Sequence, residues 1–160
     1  MPELALLPER KRVREHHPEP ERQHVAQHFY YAFLSYSHLD QKIADWLHDQ
    51  LERFRVPSPL VGRLTDNGAI PKRLTPIFRD RQELAAATDL GCEIRHALAS
   101  SRFLIVLCSP AAAQSEWTNA EVDAFKRTRP DGCVLAAIVD GEPFASDIVG
   151  REAEGCLPPA

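Results

Sequence analysis

The run Phe103-Leu104-Ile105-Val106-Leu107-Cys108 constrains this chain more than any other segment. An unbroken apolar stretch of that length, opened by Ser101-Arg102 and closed by Ser109-Pro110, is the pattern of a strand buried on both faces. Such strands occur in the middle of parallel sheets, where helices cover both sides. Ser109 then offers an N-cap oxygen and Pro110 suits the first helical turn, so the strand passes directly into a helix.

The segments on either side repeat this order. Residues 29–36 are aromatic and apolar and read as a first strand. Ser37-His38-Leu39-Asp40 fits the S-x-x-D capping pattern, a hydroxyl and a carboxylate placed to satisfy free N–H groups at a helix start. Ile43, Leu47, Leu51 and Phe54 follow at the spacing of one buried helix face, which Pro57 and Pro59 end. Residues 55–74, with Pro57, Pro59, Pro71, Gly62, Asn67 and Gly68, read as a long irregular connection. A short second strand is expected at 75–78. Leu90, Ile94, Ala97 and Leu98 mark the next helix, a main helix begins at Ser115 and runs to about Thr128, and residues 133–139 form a fourth strand.

Strand and helix in strict alternation give an α/β, doubly wound parallel sheet. Ligands of such sheets bind beyond the carboxyl ends of the strands, where strand order reverses. Those ends are residues 35–38, 79–81 and 109 onward. No fifth strand or final helix is readable after Val139. The sheet therefore has four strands, or the chain is a piece of something longer.

A length of 160 residues suits one domain. Residues 1–28 carry five acids against five bases, four prolines and no periodic apolar face, so they are expected to be a disordered tail ahead of a domain at 29–160. The formal net charge of -4 argues against nucleic acid as a partner. Four widely spaced cysteines without a CxxC pair fit a reduced, cytoplasmic setting better than a disulfide framework. Scattered histidines give no metal-ligand spacing, and no apolar run is long enough to cross a membrane.

Three groups carry possible chemistry. Trp117 and Glu121 lie four residues apart and so point within about 40° of each other on a helix. The ring suits stacking on a planar group and the carboxylate suits an attached sugar. The same spacing also fits a buried Trp with a solvated Glu one turn along. Arg79-Asp80-Arg81-Gln82-Glu83 offers planar forks for phosphates or ribose hydroxyls, or else forms a solvated loop with internal ion pairs. Tyr36-Ser37-His38 ends the first strand, with His38 either a general base or an ordinary helix-start histidine. There is no GxxxxGK[ST] and no GxGxxG, so the usual phosphate cradles are absent. Ser109-Pro110 stands where a phospho-acceptor receiver would need Asp, and Cys108-Ser109-Pro110 is no GxSxG elbow.

These residues resemble one known family. Tyr31-Ala32-Phe33-Leu34-Ser35-Tyr36-Ser37 is similar to the opening strand of Toll/interleukin-1 receptor (TIR) domains, and Pro76-Ile77-Phe78-Arg79-Asp80-Arg81 to their second strand and the start of their BB loop. Residues 104–110 resemble the third strand with its Ser-Pro ending, and Ser115-x-Trp117-x-x-x-Glu121 the motif of their αC helix. The four pieces stand in the family's order over about four-fifths of the chain, with the flavour of a bacterial member. The resemblance implies a flavodoxin-like sheet, here lacking the family's fifth strand. Thr118 also departs from the Cys that relatives often carry after the tryptophan.

Two functions come with the family: cleavage of NAD+ at the nicotinamide–ribose bond, or assembly as a non-catalytic interaction scaffold. A nucleotide-binding regulatory domain without turnover is a third reading. In the NAD+-cleaving members the αC glutamate is catalytic, which here is Glu121, with Trp117, Ser37, Arg79, Asp80 and Leu90 lining the substrate. NAD+ would be substrate, with no cofactor or metal. The resemblance also implies self-association through TIR–TIR contacts and fusion to a sensor or oligomerising domain, and the Pro-Pro-Ala ending raises the expectation of a removed continuation.

Overall fold

The computed structural model describes residues 29–65, 68–79 and 91–159. The proposed tail, residues 1–28, lies outside them. In chain order the elements are β1 (Tyr30–Ser35), α1 (Gln41–Arg53), β2 (Leu64–Thr65), β3 (Gly68–Ala69), β4 (Ile77–Arg79), α2 (Cys92–Ala99), β5 (Ser101–Cys108), α3 (Pro110–Gln114), α4 (Glu116–Thr128) and β6 (Cys133–Ile138).

Four of the strands form one parallel sheet in the order β4-β1-β5-β6. From β1 the chain steps outward to β4, then crosses back over β1 to β5, so strand order reverses between β1 and β5. Period-two alternation sorts the strand residues between two faces. Ala32, Leu34, Ile77 and Leu107 pack with Ala44 on the α1 face. Phe33, Leu104, Val106 and Cys108 pack on the other, against Ile94, Ala97 and Leu98 of α2 and Val122 and Phe125 of α4. One helix on one face and two on the other is what right-handed crossovers require of this strand order. Burial pushes the Cys108 thiol up to about 11, so it stays neutral and packs as a small hydrophobe.

Two expectations need correction. The connection over residues 55–74 is not wholly irregular: β2 and β3 pair antiparallel within it, and Thr65 Oγ1 donates to the Gly68 carbonyl. The S-x-x-D cap is also only half realised. Ser37 Oγ accepts from the Leu39 N–H at the head of a single 3-10 turn, but the Asp40 side chain caps nothing. Instead Asp40 Oδ2 accepts a 2.6 Å hydrogen bond from Ser109 Oγ. A carboxylate gains more from a charge-assisted O–H donor than from a backbone N–H that water also satisfies. The bond ties the end of β5 to the start of α1 across the point where strand order reverses.

The other caps form as read. Ser109 accepts from the Ala112 N–H and Ser115 from the Thr118 N–H. Among the described residues no fifth strand follows β6, which is therefore an edge strand with Leu135 46% and Ile138 51% exposed. The chain after it folds back on itself. The Glu142 N–H donates to the Glu154 carbonyl, and Arg151 pairs with both Glu142 and Glu154. Gly141 makes this return possible: its φ is +78°, and a Cβ there would lie 2.8 Å from the Glu154 carbonyl oxygen.

Candidate active site

The site begins with a parity. Phe33 and Ser35 share the face that carries α4, so the last residue of β1 presents a hydroxyl where the strand otherwise presents core. A hydroxyl buried that deeply needs a partner. Ser35 Oγ donates to Glu121 Oε2 at 2.5 Å. Ser35 is 1% exposed and Glu121 2%. The length is that of a short O–H···O bond, and such bonding lowers the cost of burying the carboxyl group.

The position of Glu121 is set by the joint between α3 and α4. Ser115 caps α4, while Asn119 Nδ2 donates to the carbonyls of Ser115 and Ala113. With the first turn pinned this way, Val122 and Phe125 lock the helix onto the sheet. Trp117, one turn before Glu121, is half-buried and packs against the core on the same face of the sheet. The sequence had left open a buried Trp beside a solvated Glu. The burial runs the other way: the glutamate is inside and part of the indole stays exposed. Between them Thr118 is fully buried with its Oγ1 unpartnered.

Not every residue singled out in the sequence joins this pair. Ser37, just beyond β1, is buried and engaged as a cap. Arg79 pairs in register with Leu34, on the α1 face of the sheet, opposite Glu121. Its guanidinium pairs with Asp45 of α1 and its side chain is 7% exposed, so this arginine is held by the helix. Its Nε has no hydrogen-bond partner. Asp80 and Leu90 lie outside the described residues. The sequence reading missed Ser35 as a member of the site. A signal was there: a serine at an inward position of a buried strand, two residues after Phe33, at a carboxyl end.

A carboxylate held by a hydroxyl in apolar surroundings, with an aromatic ring one turn away, is equipped to stabilise positive charge developing on a bound group. The low dielectric strengthens that interaction. The Ser35 bond also has a measurable consequence. Ser35→Ala leaves a buried carboxylate oxygen without this donor and lowers stability by about 1–3 kcal/mol. A urea-unfolding midpoint equal to that of the parent protein would show that the bond contributes nothing.

A family model for TIR domains matches residues 32–152, a span that runs from β1 through the sheet and α4. The chain belongs to the TIR family. The TIR domain is 32% identical over 114 residues to the NAD(+) hydrolase ApTIR of an Actinoplanes species. That alignment takes in 71% of this chain and 14% of the relative. Its fold is similar to that of the TIR domains in the activated Roq1 resistosome, a structure in which Roq1 directly recognises the pathogen effector XopQ. The TM-score is 0.52 at 22% identity, covering 78% of this chain and 66% of that one. Both relatives are longer than the matched region, and the likeness to the resistosome is one of fold.

The four cysteines are free, Cys92 and Cys133 exposed and Cys108 and Cys156 buried. Among the described residues no group of three or more His, Cys, Asp or Glu is placed to hold a metal ion, and no helix is long and apolar enough to cross a membrane.

Proposed function

We propose that this TIR domain is an NAD+ nucleosidase that breaks the nicotinamide–ribose bond, with Glu121 as its catalytic residue. One observation carries the reading: the carboxyl group is buried at the carboxyl end of the sheet and fixed by Ser35, one turn from the half-buried indole of Trp117. A surface glutamate on a scaffold helix has no need of such a setting. The relative named as an NAD(+) hydrolase supports the same substrate.

In this mechanism the C1′–N bond of the nicotinamide riboside breaks and its electron pair leaves with the nicotinamide, which departs neutral. Positive charge grows on the ribose ring as it flattens toward an oxocarbenium ion. The Glu121 carboxylate stabilises that charge and binds the ribose hydroxyls, as carboxylates do in glycoside hydrolysis. Water then captures C1′ and gives ADP-ribose, or a nitrogen of the adenine captures it and gives a cyclic product. Trp117 stacks on a planar ring of the substrate, and Ser37, Asp80 and Leu90 belong to the lining, whereas Arg79 is held on the other face of the sheet by Asp45. NAD+ is consumed as substrate and no further cofactor takes part. The setting is a reduced cytoplasm, in a signalling or defence effector fused to a sensor or oligomerising domain.

The reading includes self-association through the segment 79–88, in which Asp80, Arg81 and Glu83 offer both charge signs to a neighbouring copy while Arg79 is engaged by Asp45 of α1. Nicotinamide release from NAD+ tests both parts. Specific activity is expected to rise across an approximately hundredfold increase in protein concentration, as mass action requires of an assembling enzyme. Release at a flat specific activity, with monomers throughout by light scattering, removes the assembly requirement. No release at the highest concentration removes the enzyme and leaves an interaction scaffold.

A further inference from the structure

The chain is acidic overall, yet one stretch of it is strongly basic. Residues 53–76 hold Arg53, Arg55, Arg63, Lys72 and Arg73 and a single acid, Asp66. Three of these cations, Arg55, Lys72 and Arg73, line a cleft of about 660 Å³ together with Val56, Ser58 and Val61. Clefts of roughly 300–1,000 Å³ are the size that takes small organic ligands. Among the described residues no acidic side chain lines this one.

The cleft is built rather than incidental. Its two walls are clamped by backbone bonds, the Val56 N–H to the Lys72 carbonyl at 3.1 Å and the Gly62 N–H to the Ile70 carbonyl at 2.8 Å. Pro57, Pro59 and Pro71 restrict the same walls, since each fixes its own φ. Among the described residues none of the three cations has an ion-pair partner, although Arg53 and Arg79 close by do. Like charges brought together without a counter-charge repel one another, so the arrangement favours an anion that spans them.

From this we infer a second ligand site that binds a nucleoside di- or triphosphate. Arg55 and Arg73 offer planar forks and Lys72 a point charge, which together match several linked phosphates better than one. Val56 and Val61 supply apolar wall for the sugar or base, and Ser58 a hydroxyl. A basic surface can also suit nucleic acid or an anionic membrane, but the cleft's volume and its two valines favour a small ligand. The site is also remote from Glu121. α1 starts at the carboxyl end of β1 and runs back along the sheet, so the segment between α1 and β4 lies at the amino-terminal end of β4. Glu121 sits at the carboxyl end of β1. The inference therefore does not rest on the NAD+ reading.

Titration calorimetry with ATP, ADP, inorganic tripolyphosphate and adenosine tests it on the whole chain. ATP is expected to bind at least about tenfold more tightly than adenosine or tripolyphosphate, and Lys72→Glu/Arg73→Glu to weaken it by about tenfold or more. These side chains are exposed, so the variant keeps its circular dichroism and melting temperature. Glu121→Gln keeps full ATP affinity. Three results overturn the assignment: ATP affinity unchanged in the double variant, ATP bound no better than adenosine or tripolyphosphate, or saturable binding seen only with a single-stranded oligonucleotide or phosphatidylserine vesicles.

Discussion

Glu121→Gln is expected to lower nicotinamide release from NAD+ by about a hundredfold or more, the scale at which a positioned carboxylate contributes to a transition state. The substitution keeps the side chain's size and its ability to accept from Ser35 Oγ, so packing around α4 is preserved. What it removes is the charge that would face the developing oxocarbenium ion. The loss belongs mainly in kcat, because the stabilising interaction is strongest when ribose is most positive. Circular dichroism and the melting temperature should stay close to those of the parent. Turnover within a few-fold of the parent, in a folded Glu121→Gln protein, would move the catalytic role away from this residue.

Phe125→Ala gives the opposite signature, a loss of about 3–5 kcal/mol in stability, the usual cost of emptying an aromatic site in a packed core. Phe125 is fully buried, one turn after Glu121, in the cluster with Phe33, Leu98 and Leu104. Its ring is also closely fitted against the turn that leads into β6. A Cβ added to Gly132 would lie 2.8 Å from Phe125 Cε1, so the glycine makes room for the ring. Deleting that ring removes its contacts with the core cluster and leaves a cavity beside Gly132. Tm is expected to fall by on the order of 10 °C. Activity measured well below the new midpoint should track the folded fraction, because the Ser35–Glu121 bond is left in place. A Tm within about 2 °C of the parent would mean that α4 is not held to the sheet by this residue.

Together the two variants separate holding the helix from using it. Phe125 and Val122 supply the hydrophobic energy that seats α4, and the Ser115 cap, with the Asn119 amide donating to the Ser115 carbonyl, sets where the helix begins. Glu121 rides on that scaffold. Its desolvation is a cost that the Ser35 hydroxyl offsets, and a carboxylate already stripped of water is well prepared to meet a cationic ribose.

Much of this was legible in the sequence, and for simple reasons. The apolar run 103–108 could be little else than an inner parallel strand, and β5 is one. Helix stripes, caps and strand order follow from local rules of spacing, so β1, α1, β5, the α3–α4 break and β6 fall close to where those rules put them. Trp117 and Glu121 were visible as a pair because residues four apart meet on any helix. Tertiary structure decided which of the two is buried, since a period of 3.6 fixes relative direction but not which way the helix is turned on the sheet. It alone joined Ser35 to Glu121 across 86 residues, and it drew Asp40 from its expected cap to Ser109. It also placed Arg79 on the α1 face, bound to Asp45. Each of these depends on the register between strands and on the faces that the crossovers cover. Those are set by the packing of the whole core, not by any short stretch of chain.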